Sequence, residues 1–412
     1  MQRDRSLALA FGGMAAMTAA LGIGRFVYTP ILPSMIGALG WSKSNAGLIA
    51  SANFVGYLIG AVLAGLPFAV RRPRFWLLTA LAVSAISTAA MAVPSDIASF
   101  AVLRFIGGAA SAFVIVCAST LVLERLTLSG RGPLSAIHFA GVGFGIMISA
   151  IAVSAMLASG VGWRNLWIGS GAIALLATIV AATLIPAAHS VAAPPEPGTP
   201  RSGPSGIGTM TLAYGLFGFG YVITTTFLIA IVRVTPAVRT FEPWAWMVVG
   251  LAAIPSVTIW VWLGKRIGIM NAFAVACLIE AVGVAASVEW MTMTGICLSA
   301  LLLGGTFLGV TALGLIAAPI LSAGNPHQAI GRMTASFAIG QMAGPALAGF
   351  LSEHLGDFRV ASLIAAGALV VAAVLAIRTS RIFARSQIVV AKTSERSSAS
   401  SIAAIQPIRC SS

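Results

Sequence analysis

The chain has 412 residues, of which 58% are hydrophobic and 8% charged, and its formal net charge is +14. An average soluble chain carries about 25% charged residues, so this composition excludes a soluble globular protein. The positive charge is scattered in short segments between apolar runs rather than gathered in one patch, so no nucleic-acid partner is expected.

A run of about 20 apolar residues spans the hydrocarbon core of a bilayer. With no water there to satisfy the backbone, such runs must be helices. Twelve are predicted: 7–37, 45–70, 75–93, 98–123, 133–158 and 166–186, then 209–232, 244–263, 269–288, 293–318, 328–351 and 360–378. The basic start and following apolar stretch look like a signal peptide, but the run continues through Pro30 and Pro33, so it reads as an uncleaved first helix. Residues 187–208 are rich in Pro, Gly and Ser and lack apolar periodicity, as in a flexible linker. The tail 380–412 is polar, Ser-rich and basic, and reads as disordered. This divides the chain into a first bundle (1–186), a linker (187–208), a second bundle (209–379) and a tail.

The two bundles repeat. Residues 22–32 read GIGRFVYTPIL and residues 218–228 read GFGYVITTTFL, an offset of 196 that pairs Gly22 with Gly218, Gly24 with Gly220 and Thr29 with Thr225. Arg164 and Arg359 precede the sixth and twelfth spans at a similar offset. A duplicated membrane chain with a polar group at equal depth in each half is the mark of a secondary transporter.

Basic residues crowd alternate loops: Arg3 and Arg5; Arg71, Arg72 and Arg74; Arg125 and Arg131; Lys265 and Arg266; and the tail from Arg378. The intervening loops carry fewer, offset by Asp96, Glu242, Glu289, Glu353 and Asp357. This positive-inside bias predicts both termini in the cytoplasm, with the cations meeting anionic membrane lipids. The four cysteines have no metal-ligand or disulfide spacing. No phosphate-cradling Gly-Lys-Ser loop, His/Cys cluster or Ser–His–Asp grouping occurs, so neither a cofactor nor an enzymatic activity is expected.

The GIGRFVYTPILPSM stretch, YGLFGFGYVITTTFL at 214–228 and GQMAGP at 340–345 resemble the major facilitator superfamily, more narrowly its YbfB/YjiJ-like branch, over residues 5–380. The resemblance implies an all-α membrane protein with twelve transmembrane helices in two pseudo-symmetric six-helix bundles. It also implies a central cavity lined by helices one, four, seven and ten, a peripheral helix nine, and monomers in the bacterial inner membrane. Two departures stand out. Ala69 and Lys265 occupy the places where the superfamily's loop motif carries an Asp, and GVGFGIMISA at 141–150 lacks the proline of the antiporter signature. Drug–proton efflux is therefore the secondary reading.

Arg25 is the leading candidate for solute binding. A guanidinium at the bilayer centre costs at least about 2.5 kcal/mol and must find a partner or a wet cavity. It reads either as an anchor for an anionic solute or as a structural group on carbonyls freed by Pro30. Tyr28 and Thr29 share its helix face. Tyr221, Thr224 and Thr225 mirror that face in helix seven, unless the hydroxyls bond their own helix. Arg104 resembles the superfamily's helix-four arginine, linked there to proton transfer; alternatively it strengthens the anion reading or snorkels outward. Asn53 and Tyr57 lie at i, i+4 on helix two, for solute contact or for helix–helix bonding. Gln341 stands beside Gly344 and Pro345 in a helix able to flex. Glu280 and His138 are the candidates for coupling to a proton, against lipid-facing or helix-pairing roles for Glu280 and a hydrogen-bonded structural role for His138. Trp244, Trp246, Trp260 and Trp262 read as an interface belt. The expected activity is movement of a small organic solute, leaning anionic, by alternating access. A membrane-embedded sensor or enzyme on the same scaffold is the remaining alternative.

Overall fold

The computed structural model describes residues 2–186, 206–322 and 326–403, with side chains over 5–186, 206–322 and 328–386. The expected linker falls almost wholly outside the described residues.

Apolar composition without a soluble face makes each run a helix that closes its own backbone hydrogen bonds. Helix α1 is split into α1a (Gln2–Met17) and α1b (Tyr28–Leu39), joined by a π-helical stretch, Thr18–Ile23, and an irregular turn. The rest of the first half is α2 (Lys43–Ala64), α3 (Pro73–Ala90), α4 (Ile97–Ala118), α5 (Ser135–Ala158) and α6 (Trp163–Leu184). The second half is α7 (Ile207–Val234), α8 (Glu242–Ile267), α9 (Ile269–Glu289), α10 (Met293–Leu321), α11 (Pro326–Leu355) and α12 (Arg359–Ala403). Eleven described helices are long and apolar enough to cross a membrane. The other long one, α11, is 30 residues but carries Arg332, Gln341 and Pro345. Two expected ends move: α4 continues through a π turn, Ser119–Leu123, to Leu128, and α12 runs past 378 to Ala403.

The break in α1 has a local cause. Pro30 has no N–H to offer the Phe26 carbonyl. That carbonyl takes the Thr29 N–H instead, at 3.2 Å, which leaves the Arg25 carbonyl without its helical donor. Helix α7 has Thr226 and Ile229 where the repeat places Pro30 and Pro33, and it is unbroken.

Helices alternate in direction, so the chain ends and the 2–3, 4–5, 6–7, 8–9 and 10–11 connections share one side, here the linker face. The other loops form the opposite face. Two long seams join the halves, α2 with α11 and α5 with α8, and α1b touches α7. Both long seams need glycine. A Cβ on Gly47 would stand 2.2 Å from the Pro345 carbonyl oxygen, and one on Gly250 would stand 2.5 Å from the Met147 nitrogen. The repeat is visible in the packing: Gly22 abuts Gly145 of α5, and its counterpart Gly218 abuts Phe337 of α11.

Between described residues, the side-chain hydrogen bonds that cross from one half to the other all lie from mid-membrane to the opposite face. Thr29 donates to the Thr225 carbonyl at 2.6 Å, Ser51 to Met342 O at 2.8 Å, and Arg233 to Ser34 at 3.1 Å. Lys43 Nζ reaches Ser352 O and Gly356 O at 3.0 and 2.6 Å, and the Ser44 N–H donates to Glu353 at 3.0 Å. The halves are latched on that side.

Candidate functional site

The two interior arginines have different fates. Arg104, on α4, donates through Nη1 to the Gly24 carbonyl and through Nη2 to the Arg25 carbonyl, both at 2.9 Å. It therefore fills the role of capping the carbonyls at the break that sequence reasoning had offered to Arg25. Being 5% exposed, Arg104 does not snorkel outward. Its guanidinium lies 5.0 Å from the Tyr28 ring, and the Tyr28 hydroxyl donates to Ala46 O at 2.8 Å. Asn53 donates to the Arg104 carbonyl at 2.8 Å, tying α2 to α4.

Arg25 has no such partner. It is 6% exposed, and its Nε and Nη2 are buried without a hydrogen-bond acceptor. Its guanidinium lies between aromatic faces of α2, 4.7 Å from the Phe54 ring and 4.8 Å from the Tyr57 ring, with Phe26 at 5.4 Å. Rings attract a cation but do not discharge it. Among described residues no carboxylate pairs with it.

The second half faces this cation with rings and neutral polar groups. The Tyr221 hydroxyl accepts from Gln341 Nε2. Gln341 Oε1 and the Thr224 hydroxyl are buried without partners. Thr225 bonds back into its own helix at Tyr221 O and Val222 O, while its carbonyl receives Thr29. Phe26 lies edge-on to Phe307 of α10, with ring centres 5.7 Å apart, and 6.5 Å from Trp246 of α8. Tyr57 faces Arg25 from the first half, while in the second Tyr214 and Tyr221 both stack on Phe337.

The cleft bounded by Arg25, Phe26, Tyr28, Thr29, Phe54, Arg104 and Thr225 is tight in this state. It holds about 270 Å³ of non-atom space, of which about 10 Å³ is open to the centre of a water molecule, room for about one water. A larger cleft of about 830 Å³ opens on the opposite face beside Pro30, Ser154 and Trp246. Two arginines line it: Arg233, already held by Glu242 with Nε contacts of 2.8 and 2.9 Å, and Arg239.

Glu280 does not face lipid. It is fully buried on α9 towards α10, and both carboxyl oxygens lack partners. The neighbouring Thr306 hydroxyl is committed to Leu302 O at 2.6 Å. His138 is also fully buried, wedged against Gly13 of α1a, and neither ring nitrogen is hydrogen-bonded. It lies on the linker side, away from Arg25. The expected tryptophan belt is only half present. Trp244 and Trp262 are exposed, but Trp246 is buried and Trp260 donates to Gly305 O at 2.7 Å. Sequence reasoning missed Phe26, Phe54 and Phe307, and placed Trp246 in the belt. Phe54 carried a signal, since it stands at i−3 from Tyr57 on a face already singled out; Phe307 carried none inside an apolar run.

The comparisons with solved structures fix the fold. A bacterial homologue of the human lysosomal transporter Spinster, in an inward-facing unoccupied conformation, superposes with TM-score 0.67 at 14% identity, covering 92% of this chain and 98% of that one. The nucleoside transporter NupG gives TM-score 0.64 at 16% identity, over 92% and 99%. The human organic anion transporter MFSD10 gives 0.62 at 16%, over 90% and 99%. Residues 17–377 match the family described as "Uncharacterised MFS-type transporter YbfB". A match over that much of the chain, on twelve helices in two repeated halves, makes this chain a member of the YbfB family of MFS-type transporters.

Proposed function

We propose that the chain moves a small organic anion across the bacterial inner membrane by alternating access, with the Arg25 guanidinium as the anchor. One observation carries this reading: Arg25 is a buried cation at the junction of the halves whose fork is not satisfied by any described carboxylate or carbonyl. A buried charge without a partner is costly, and a solute carboxylate would supply both the countercharge and two acceptors in the planar geometry that the fork matches. Tyr57, Thr224, Tyr221 and Gln341 would orient the rest of the solute. Arg104, Tyr28 and Asn53 support the site by holding the broken backbone that carries Arg25.

The positive-inside pattern favours a cytoplasmic linker face. With the latching bonds on the other side, this state then corresponds to one closed towards the periplasm along the α2–α11 seam. The transporters similar in fold, and the family itself, support transport over an embedded enzyme or sensor. One of those similar in fold is named for organic anions, which agrees with the reading without carrying it.

The test is ligand-dependent stability followed by flux. A ligand at 100 times its Kd stabilises the folded state by about 2.7 kcal/mol. An organic anion should raise the melting temperature of the purified protein and enter proteoliposomes, and Arg25→Ala should abolish both while still inserting and folding. Undiminished binding and flux by a folded Arg25→Ala protein would remove Arg25 from the site.

A further inference from the structure

We propose that the cleft lined by Arg25 and Arg104 is a binding site for a single halide ion, chloride in the cell. This site goes beyond the transport reading above and rests on the same buried Arg25. Charge, donors and size each point there.

Two guanidiniums line the cleft. Arg25 is 6% exposed and Arg104 5%, and among described residues neither meets a carboxylate. The Gly24 and Arg25 carbonyls that receive the two Arg104 Nη groups bring hydrogen bonds but no full charge. Two uncompensated cations buried at one cleft are costly, and an anion in that cleft lowers the cost of both.

The unsatisfied groups of the lining residues are all donors on these two cations. Arg25 Nε, Arg25 Nη2 and Arg104 Nε are buried without an acceptor. Every hydroxyl in the wall has already committed its proton to a carbonyl. Tyr28 donates to Ala46 O at 2.8 Å and Thr29 to Thr225 O at 2.6 Å. Thr225 donates to Tyr221 O and Val222 O at 3.2 and 3.1 Å, and Thr226 to Val222 O at 2.7 Å. The rest of the wall is Phe26, Ala50 and Phe54. Such a lining presents positive N–H groups and apolar surface, which suits an ion that only accepts hydrogen bonds.

Size selects among anions. The space open to the centre of a water is about 10 Å³, room for about one water. A halide is a sphere only slightly larger than a water molecule and makes few directional demands. Sulfate and phosphate are much larger and have several oxygens to satisfy from these few free nitrogens. The halide therefore belongs to the tight cleft of this state. A solute carboxylate that reaches Arg25 once the halves part would displace it.

The test is equilibrium binding of radiolabelled chloride to the purified full chain, with sulfate as the background salt at constant ionic strength. One saturable chloride per chain should bind, and bromide should displace it while sulfate does not. Arg25→Gln should weaken binding by at least about 10-fold, the loss expected for a charge-assisted hydrogen bond. Ala50→Val leaves both arginines in place, fills the cleft, and should lose chloride to a similar extent. It carries the test where Arg25→Gln fails to fold, folding being read from the melting curve in sulfate. No saturable chloride, or binding retained by either folded variant, overturns the site. Sulfate displacing chloride as bromide does overturns the size assignment. Organic-anion flux by a protein that binds no chloride removes the halide and leaves the transport reading standing. Chloride binding that both variants lose, in a protein that moves no organic anion, keeps the halide and removes the transport reading.

Discussion

Gly47 offers a direct way to force the latched face open. Its missing Cβ is what lets α2 approach the Pro345 carbonyl of α11. A methyl there would lie 2.2 Å from that oxygen, while ordinary contact begins near 3.4 Å. The helices must therefore part by roughly the difference, 3.4 − 2.2 = 1.2 Å, against a backbone atom that cannot rotate away. Overpacking of this kind costs about 1–3 kcal/mol, and only the state with the seam closed bears it. The equilibrium should then shift towards the state open on that side by about 5–150-fold. The assay is maleimide labelling of Ser51→Cys, which lies in the seam at 8% exposure, in a background with the native cysteines removed. Where opening limits labelling, the rate follows the open population. Gly47→Ala should raise it by that factor, and Gly349→Ala, whose Cβ would meet Lys43 O at 2.4 Å, should do the same. A folded Gly47→Ala protein that labels no faster would refute the claim that this seam seals the opposite face.

Thr29→Val removes the hydroxyl that crosses to the Thr225 carbonyl. A net hydrogen bond of about 0.5–1.5 kcal/mol translates into roughly a 2–10-fold rise in the same labelling rate. Arg104→Ala strands the Gly24 and Arg25 carbonyls in the interior; at about 1–3 kcal/mol for each unsatisfied group, it should lower the detergent-solubilised melting temperature sharply, with Arg104→Lys recovering only part. Trp260→Phe keeps the ring but loses the bond to Gly305 O, and should destabilise by about 1 kcal/mol in denaturant titration. Asp96 caps α4 by accepting the Ser99 N–H at 2.9 Å, and that bond holds its carboxyl below the usual carboxylate range. A depressed carboxyl stabilises the fold above its ordinary titration range and loses that contribution as pH falls through its lowered folded value. Wild type should therefore lose part of its advantage over Asp96→Ala in acid, while Asp96→Asn, also a good cap, shows no such pH dependence.

Much of the architecture was legible because lipid leaves the backbone few choices. Spacing alone located the helices and the repeat. Arg25 announced itself because a cation in an apolar run always requires an account. Its division of labour with Arg104 was hidden, since that depends on a carbonyl 79 residues away in sequence being left over by Pro30. The sequence showed the proline but not which arginine would reach the break. Glu280 was placed at the periphery by analogy. Helix α9 is apolar on nearly every side, so no periodicity could say which face turns inward. Trp246 and Trp260 sit beside exposed tryptophans on the same helix, and only the neighbouring α1b and α10 reveal that they point inward. The parallel rings of Phe307 and Phe337 were silent for the same reason, as a phenylalanine in an apolar run looks like any other filler.

The buried cations at the junction have an electrical consequence. Arg25 and Arg104 both line the cleft, so a bound monoanion lowers the charge that the carrier's centre moves between its two states by one. Empty, the centre carries that extra positive charge, and each 100 mV acting on a full elementary charge is worth about 2.3 kcal/mol. An inside-negative cell would thus hold the unloaded carrier facing its interior, and the empty return stroke, rather than the loaded one, would set the pace of the cycle.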